Sequence, residues 1–250
     1  MNMRILLLAF CCLVLSACNG GSDLSEFGEP APNIASSAPA TLNLLVIGGT
    51  KGIGLETVQL ALSRGHTVTA MARRPERLFM SHERLTKLKG DILDLESVKQ
   101  AVSGKDAVIV SIGAGPTRKP VTLFSKGTAN VLEAMRTQEL KRLITVTGIG
   151  AGDSRGHGGF FYDNILQPLL LDTIYRDKDI AEQLIADSDS SWTIVRPGFL
   201  TDDASEANYR VIADMNGVTS GDISRADVAH FMLAAIEADS YLGATVLLSN

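Results

Sequence analysis

The stretch LNLLVIGGTKGIGLETVQLALSRG, residues 42–65, decides the fold of this chain. A short apolar run typical of a buried strand leads into a glycine-rich turn, and the turn leads into a helix that ends at Gly65. Gly48, Gly52 and Gly54 give the spacing G-x-x-x-G-x-G. The first supplies backbone freedom for the turn, the second leaves room for an approaching phosphate, and the third lets helix pack on strand. Since a helix N-terminus also favours anions, the stretch predicts a loop that holds the pyrophosphate of a dinucleotide.

Short apolar runs rich in β-branched residues alternate with longer helical stretches over the rest of the chain. Strands that alternate with helices imply a parallel sheet covered by helices on both faces. We therefore expect an α/β fold, a doubly wound parallel sheet in a single Rossmann-like domain over residues 42–250. The predicted strands are 42–47, 66–71, 85–89, 106–111, 141–147, 192–196 and 244–248, and the predicted helices lie near 53–64, 95–103, 120–138, 164–187 and 224–238.

The last predicted helix has the clearest pattern. From Val228 to Ile236 its apolar residues recur at i, i+3, i+4, i+7 and i+8. Ser224 precedes the helix and Asp227 follows three residues later. This is the arrangement of a helix N-cap with its partner in the first turn, and it predicts where the helix begins.

The composition is that of an ordinary globular domain, with 45% hydrophobic and 20% charged residues. Roughly 210 residues follow the N-terminal segment, enough for one domain with a single core. The net charge of −5, and a sequence without a basic stripe interleaved with aromatic residues, argue against a nucleic-acid partner.

The first segment of the chain, residues 1–17, has the pattern of a secretory signal. Arg4 precedes the apolar run ILLLAFCCLVLSA, which is shorter than the about 20 residues that a transmembrane helix needs. Residues 15–18, LSAC, resemble the lipobox of bacterial lipoproteins, in which the chain is cut before the cysteine and the thiol carries a diacylglycerol. We expect the mature chain to begin at a lipidated Cys18. The alternatives are an ordinary signal with a stray cysteine and a short membrane anchor.

Residues 18–41 link the expected lipid to the domain. They are rich in Ser, Pro, Ala and Gly and lack apolar periodicity, which predicts a flexible tether. By resemblance to enterobacterial sorting rules, Asn19 favours the outer membrane. We expect a protein of the bacterial cell envelope, at the periplasmic face of the outer membrane, that contacts the membrane through its lipid anchor only. Since Cys11 and Cys12 leave with the signal and Cys18 is acylated, no thiol remains for a disulfide, a metal site or a nucleophile.

Motifs along the whole domain resemble the short-chain dehydrogenase/reductase superfamily. Ile53 within GIG matches the glycine loop of that superfamily, and further matches follow the third to sixth predicted strands and open the last helix. The similarity is greatest to the atypical branch of NAD(P)-binding proteins related to flavin reductase/biliverdin reductase B and to the NmrA-like sensors. The matching stretches are GDILD (90–94), SIGAG (111–115), TVTGIGAGDSR (145–155), DKDIAEQLI (177–185), WTIVRPGFLTD (192–202) and ISRADVA (223–229).

This resemblance implies a set of cofactor contacts. Residues after the third strand would hold the adenine, residues after the fourth would pass beside the ribose, and residues after the sixth would border the nicotinamide. The predicted contacts are Gly48, Gly49, Thr50, Lys51, Gly52, Ile53 and Gly54 in the loop, Asp91 and Ile92 at the adenine, Ser111, Ile112 and Gly113 at the ribose, Lys178 at the nicotinamide ribose, and Pro197, Gly198 and Phe199 at the nicotinamide.

Charge predicts which dinucleotide binds. Proteins that prefer NAD place an acidic residue at the end of the second strand, where it takes the ribose 2′-hydroxyl. This chain has Arg73 and Arg74 there, and Lys51 inside the glycine loop. Guanidinium groups suit a 2′-phosphate, so the expected cofactor is NADP(H) in preference to NAD(H). The alternative is that these are solvated loop residues.

The usual catalytic tyrosine of the superfamily is missing. In the main branch, a Tyr-x-x-x-Lys pair on the long helix acts with a serine after the fifth strand. Lys178 matches the lysine, but the residue four positions earlier is Ile174, and Tyr175 stands one residue away from the required position. A step of one residue turns a helix by about 100°, so we expect Tyr175 to face away from the site. Thr147 is the only hydroxyl near the serine position.

Thr147 and Lys178 are therefore the candidate catalytic residues. The alternative for the lysine is a surface pair with Glu182 at i+4. Hydride transfer to flavins or quinones needs little acid–base help, because the cofactor carries the chemistry. The leading expectation is an NADPH-dependent reductase of a small flavin-like, quinone-like or carbonyl acceptor. The competing expectations are a module that senses NADP(H) without turnover and a lipid-tethered scaffold. No oligomeric state follows from the sequence.

Overall fold

The computed structural model describes residues 29–30 and 40–250. The predicted signal, the lipobox and Cys18 lie outside the described residues. The strands are β1 (Glu29–Pro30), β2 (Asn43–Ile47), β3 (Thr67–Ala72), β4 (Leu85–Lys89), β5 (Ala107–Val110), β6 (Arg142–Val146), β7 (Ser191–Pro197), β8 (Phe199–Thr201), β9 (Arg210–Ile212), β10 (Asp222–Ser224) and β11 (Ala244–Ser249). The α-helices are α1 (Gly52–Ser63), α2 (Leu95–Val102), α3 (Leu123–Thr137), α4 (Asp172–Ala186) and α5 (Arg225–Glu237).

The main sheet of the described chain has nine strands in the order β1-β9-β11-β7-β6-β5-β2-β3-β4. All neighbours from β11 to β4 pair in parallel, while β9 runs antiparallel to β11 and β1 runs antiparallel to β9. The predicted α/β class, a doubly wound parallel sheet in one domain, is thus confirmed. Its seven predicted strands are β2 to β7 and β11.

The strand order reverses between β2 and β5. The chain moves from β2 outward to β3 and β4, then returns to place β5 on the other side of β2. Ligands of open α/β sheets bind outside the carboxyl ends of the strands at such a switch point. The glycine turn follows β2 directly, so the fold places it at this position.

Helices cover the sheet on both faces because its strands send alternate residues to opposite sides. On one face, Val46 packs with Val58 of α1 and Phe231 of α5. On the other face, Leu45 packs with Met135 of α3 and with residues of α2. Val46 and Leu45 are fully buried neighbours in β2 that face opposite layers, as expected for a strand covered on both sides.

The long helix differs from its prediction. The predicted helix 164–187 is a π-helix, Tyr162–Leu171, followed directly by α4. Pro168 lies inside the π-helix and has no N–H to donate, so the ladder of an α-helix cannot continue through it. The start of α5 is as predicted, since the Ser224 side chain accepts a hydrogen bond from the backbone N–H of Asp227.

Two residues of the predicted flexible tether form a strand. Glu29 pairs with Val211 of β9, and Val211 pairs with Leu248 of β11. Leu248 in turn pairs with Pro197 at the carboxyl end of β7. The tether prediction missed β1 because two residues carry no periodicity, and because the unpaired edge of β9 that they cover is distant in sequence. The pairing brings the chain to the carboxyl edge of the sheet.

Within the described residues, no helix combines the length and the apolarity needed to cross a bilayer.

Candidate cofactor and acceptor site

A cavity of about 1100 Å³ opens at the carboxyl ends of the parallel strands. Small-molecule pockets commonly measure about 300–1,000 Å³, so the cavity is large for one ligand. It brings together most of the residues predicted from sequence, which are Gly48, Thr50, Lys51, Gly52, Ile53, Arg73, Arg74, Asp91, Ile92, Ser111, Ile112, Gly113, Thr147, Lys178, Pro197, Gly198 and Phe199.

Two of the predicted loop contacts do not line the cavity. A Cβ at Gly49 would lie 2.9 Å from Val58 Cγ2 of α1, and a Cβ at Gly54 would lie 2.4 Å from the carbonyl oxygen of Gly48. Both glycines therefore serve the packing of α1 against the loop and the sheet. For Gly49 this differs from the predicted ligand contact; for Gly54 it agrees with the packing reason given by its spacing.

The glycine turn has the shape of a phosphate cradle. Gly48 has φ +95°, and a Cβ there would lie 2.2 Å from the carbonyl oxygen of Ser111. Gly52 has φ +56° and faces open cavity, with the Arg225 side chain 3.7 Å from its ideal Cβ position. No side chain caps α1 at its N-cap residue Lys51, so the first N–H groups of the helix stay available to an anion. The turn thus fits a pyrophosphate.

Cations line one end of the cavity. Lys51, Arg73 and Arg74 are exposed, and Arg77 from the short 3₁₀ turn Pro75–Arg77 joins them. Within residues 40–250 none of these four side chains takes part in an ion pair. The first two residues after β3 are both arginines, so no carboxylate stands where a 2′-hydroxyl would be recognised. Four positive charges without an ion-pair partner among the described residues therefore lie together at this end of the cavity.

The middle of the cavity is built from the ends of β4 and β5. The Asp91 carboxylate accepts a hydrogen bond from the backbone N–H of Leu93 at 3.0 Å, which fixes the turn that carries Asp91 and Ile92. Ser111 donates its N–H to Ile47 of β2 at 2.9 Å and continues the sheet by one residue. Both segments line the cavity together with the glycine turn, and their contacts with adenine and ribose stay predictions.

Lys178 lies at the opposite end of the cavity from the arginines. Its Nζ donates a hydrogen bond to the carbonyl oxygen of Thr147 and lies 4.7 Å from the ring centroid of Tyr175 and 5.2 Å from that of Phe124. Burial lowers the pKa of Lys178 to about 8, and the negative charge of Glu182 opposes the shift. The alternative of a surface Lys–Glu pair does not describe this lysine, since it faces the cavity.

The Thr147 hydroxyl has a different role from the predicted catalytic one. It donates its only proton to Oε1 of Glu182 at 2.6 Å. Glu182 also accepts from Nε and Nη2 of Arg196, at 3.1 and 2.6 Å, and Arg196 pairs with Asp153. All but Asp153 are buried. The hydroxyl belongs to a buried polar network that ties α4 to β7 and to the loop after β6, so it has no proton to offer a substrate.

Tyr175 does not face away from the site, and the helical-register prediction is wrong on this point. Its side chain lines the cavity beside Lys178. Residues three apart share a helix face almost as closely as residues four apart, so a tyrosine at i−3 still points to the same side. Its hydroxyl, however, is buried and lies 2.8 Å from the hydroxyl of Tyr162.

The two tyrosine hydroxyls satisfy each other and the backbone. The hydroxyl oxygen of Tyr162 lies 3.0 Å from the carbonyl oxygen of Ile149, and this hydroxyl has a single proton to donate. When that proton goes to Ile149, Tyr175 donates to Tyr162. Burial raises the pKa of both phenols. Two buried, paired phenols are poor proton donors to a substrate.

Apolar side chains form the wall of the cavity near Lys178. Phe199 meets Tyr162 edge to face, with ring centroids 5.3 Å apart and an angle of 79° between the rings. Leu200 extends this wall toward solvent and is 38% exposed. A Cβ at Gly198 would lie 2.2 Å from the carbonyl oxygen of Gly221, so this glycine allows the chain after β7 to pass close to β10.

Sequence reasoning missed Arg77 and Arg225 as site residues, whereas Tyr162 lies in the stretch expected to meet a substrate and does line the cavity. Nη1 of Arg225 donates to the carbonyl oxygen of Thr201 at 2.9 Å and pairs with Asp202 at 2.7 Å, which holds the arginine beside Gly52. Arg225 opens α5, far along the chain from the glycine turn. No local pattern could have placed it there, because β8 and β10 bring it in through their short parallel pairing.

A parallel sheet whose glycine turn and cations open on one cavity at the switch point defines a dinucleotide-binding protein of the Rossmann type. Residues 48–239 match the model of a family described as NAD(P)H-binding. This chain belongs to that NAD(P)H-binding family.

Relatives and solved structures agree with the fold. The sugar epimerase YhfK of Bacillus subtilis, itself uncharacterised, is 26% identical over 78% of this chain and 88% of its own. ChuY, an anaerobillin reductase from Escherichia coli O157:H7, is 23% identical with a TM-score of 0.68, covering 83% of this chain and 96% of that chain. A short-chain dehydrogenase/reductase from Veillonella parvula in complex with NADP is 17% identical with a TM-score of 0.70, covering 84% and 94%. At these identities, the two solved structures show a shared Rossmann fold.

Proposed function

We propose that this protein is an NADPH-dependent reductase that transfers a hydride to a small flavin-like, quinone-like or carbonyl acceptor. The observation that carries the proposal is one continuous cavity, with free cations at one end, the glycine cradle in the middle and Lys178 against an apolar wall at the other end. A dinucleotide needs this order of features, with the adenosine phosphate at the cations and the nicotinamide at the wall. ChuY and the NADP complex from Veillonella parvula support it as proteins of the same fold.

The chain's own residues would hold each part of the cofactor. Arg73 and Arg74 bind the 2′-phosphate, the N–H groups of α1 bind the pyrophosphate, and the Lys178 ammonium binds the hydroxyls of the nicotinamide ribose. When bound, the cofactor supplies the hydride. Phe199 and Leu200 exclude water from the side of the nicotinamide where an acceptor would lie. The preference for NADPH over NADH is part of the proposal and rests on the cations at the end of β3.

The acceptor suits a site with few free proton donors. Tyr175 and Tyr162 are buried and bonded to each other, and Thr147 donates to Glu182. A planar, conjugated acceptor accommodates hydride addition with little help from a protein acid, and the edge-to-face pair of Tyr162 and Phe199 offers such a ring an aromatic wall. Flavin-like and quinone-like acceptors therefore fit better than an isolated ketone.

A sensor that binds NADP(H) without turnover is the second candidate. The lack of an available tyrosine hydroxyl favours it, since a binding module needs the cradle and the cations but no proton donor. A lipid-tethered scaffold without cofactor is a weaker third candidate, because the open cradle and the unpaired cations would then serve no purpose.

We also propose that the protein is a lipoprotein of the bacterial cell envelope, cut before Cys18 and held by its lipid. The support is the LSAC sequence that ends the apolar run of residues 5–17.

A titration followed by an acceptor screen tests the function. NADPH and then NADH are titrated into the protein by calorimetry, and oxidation of bound NADPH is followed by its near-ultraviolet absorbance with flavins, quinones and aldehydes. The reductase predicts saturable NADPH binding and turnover with at least one planar acceptor. Saturable binding without turnover of any acceptor would support the sensor, and no binding of either dinucleotide would support the scaffold.

A further inference from the structure

A row of large apolar side chains lies exposed beside the cavity. Phe160 and Phe161 begin the row, and Ile165, Leu169 and Leu170 of the π-helix continue it. Phe160 and Phe161 lie five and four residues before Ile165, and Leu169 and Leu170 lie four and five residues after it. Four to five residues make one turn of a helix whose hydrogen bonds join residues i and i+5. These apolar residues therefore share one side of the helix, here named the apolar face. Its first two rings are 81% and 65% exposed.

The opposite side of the same helix is already packed. Tyr162 and Gln167 are buried, and Leu166 and Leu171 pack against the cluster around Ile149. A helix that is apolar on both sides is expected to be covered on both sides. Nothing in the described part of the chain covers the apolar face. Exposed apolar patches of this kind mark a surface that meets a partner or a membrane.

The helix that carries the apolar face also contributes Tyr162 to the cavity. Phe161 directly precedes Tyr162, whose ring packs edge-on against Phe199. Phe199 and Leu200 are 36% and 38% exposed and line the cavity.

Cations border the apolar face. Nε of Arg118 donates to the carbonyl oxygen of Leu169 at 3.1 Å, which places this exposed guanidinium next to the face, and exposed Lys119 follows it. Among residues 40–250 neither cation belongs to an ion pair. Two acidic residues lie nearby. Asp163 accepts a hydrogen bond from the backbone N–H of Gly158, and Asp172 forms an ion pair with Arg176 at 2.8 Å. Apolar rings bordered by free cations complement an anionic lipid surface.

β1 lies beside the carboxyl edge of the sheet and has the same direction as β11, because both strands pair antiparallel with β9. Glu29 of β1 lies level with the carboxyl end of β7, as the pairing through β9 and β11 requires. Residues 19–28 separate it from Cys18, a stretch that spans at most about 40 Å when extended. A lipid on Cys18 would thus keep the membrane surface within about 40 Å of Glu29.

We propose that the apolar face docks on the surface of an anionic lipid bilayer. Phe160, Phe161 and Leu169 enter the boundary between head groups and acyl chains, while Arg118 and Lys119 lie among the head groups. This goes beyond the expectation that the lipid anchor is the only contact with the membrane. The docking rests on the apolar face and its bordering cations and does not depend on turnover.

Tryptophan quenching in vesicles tests the docking on the lipidated protein. Phe160→Trp and the control Leu242→Trp are each made in a chain that also carries Trp192→Phe, because Trp192 is the one native tryptophan. Both proteins are reconstituted in phosphatidylglycerol-containing vesicles with brominated acyl chains. Leu242 is 46% exposed and lies just before β11, at the opposite edge of the sheet. We expect strong quenching of Trp at position 160 and none at 242. Quenching of neither would overturn the proposal.

Partition of the Cys18→Ser chain gives the second test. It should sediment with phosphatidylglycerol vesicles, and the variant Phe160→Ser/Phe161→Ser/Leu169→Ser should partition at least about tenfold more weakly. Phe79→Ser, which removes a 94% exposed ring outside the face, is the control and should not change partition. Equal partition of all three would overturn the proposal. So would a lipid-free dimer that the triple variant loses, which would assign the face to a second copy. Absence of NADPH binding from the native protein and from every variant would count against the reductase and not against docking.

Discussion

The hydroxyl oxygens of Tyr162 and Tyr175 lie 2.8 Å apart beneath the inner end of the cavity. The pair joins the π-helix to α4 at the point where the lysine of the usual catalytic pair stands. It therefore explains how a tyrosine can line this cavity without being available as a proton donor.

Tyr175→Phe should retain most of the turnover of an active preparation. The phenol it removes is buried and bonded to Tyr162, so the loss should be below about tenfold, with a stability cost of about 1 kcal/mol for the lost hydrogen bond. Steady-state rates with NADPH and a quinone measure the first effect and urea unfolding the second. Tyr209→Phe, which removes a phenol bonded to His230 at 2.8 Å outside the cavity, is the matched control for stability. A loss of about 10²-fold in turnover, with cofactor affinity intact, would identify Tyr175 as the general acid.

Arg73→Ala/Arg74→Ala should weaken NADPH binding far more than NADH binding. Only NADPH has the 2′-phosphate, and loss of its charged hydrogen bonds should cost about 1–3 kcal/mol. Calorimetric Kd values for both cofactors measure the difference. Arg136→Ala removes an exposed guanidinium on α3, outside the cavity, and should change neither. Equal weakening of both cofactors by the double variant would show that Arg73 and Arg74 do not read the 2′-phosphate.

Gly52→Asp should abolish cofactor binding. The new carboxylate would project into the cradle and repel the pyrophosphate. Gly104→Asp is the control, because Gly104 has a similar φ of +67°, has nothing within 4 Å of its ideal Cβ position and lies outside the cavity. Both positions have a positive φ, so the two variants carry similar backbone strain. We expect similar melting temperatures for both variants and loss of NADPH binding in Gly52→Asp only. Binding that survives Gly52→Asp would contradict the cradle.

Lys178 should make the stability of the protein depend on pH in the alkaline range. Burial lowers its pKa from 10.5 to about 8, so between these values the unfolded chain binds more protons than the folded protein. The free energy of unfolding therefore gains an increment as pH rises from about 8 to 10.5. Urea unfolding at several pH values should show this rise in the native protein and not in Lys178→Met, with exposed Lys126→Met behaving as native. An identical pH profile for Lys178→Met would show that the lysine is not buried.

Cys18→Ser should release the protein from the membrane fraction of a bacterial host in high salt and abolish labelling by a fatty-acid analogue. Two or more acyl chains hold a protein stably, whereas the apolar face alone gives a weaker, salt-sensitive association. Fractionation in low and high salt separates the two. Labelling that survives the substitution would contradict lipidation at this cysteine.

The order of the main strands and helices could be predicted because each of them has a local sequence pattern. In β2 a buried run meets a glycine turn, and in α5 the apolar spacing and Ser224 define the start. The short strands β8, β9 and β10 have three residues each, too few to show a period. Their formation depends on edges that other parts of the chain supply.

The glycine loop and the pair of arginines after β3 could be predicted, because the residues of each group are neighbours in sequence. The tertiary contacts of the site could not be predicted. Arg225 reaches Gly52 only because β10 pairs with β8. The position of Tyr175 was inferred from an i−4 rule alone, while i−3 neighbours share that face. The Thr147 hydroxyl was assigned by its place after β6, and its partner Glu182 lies 35 residues away.

The pairing of Glu29 and Pro30 with β9 has a kinetic consequence for a lipid-held domain. With acyl chains at one point and apolar rings at another, rebinding of the rings becomes an intramolecular event, governed by an effective concentration that a short link keeps high. Even with an intrinsic Kd of about 1 mM, the rings would then stay bound to the bilayer for much of the time. A longer link between Cys18 and Glu29 would lower this effective concentration. The length of residues 19–28 would then set the fraction of time that the rings contact the bilayer.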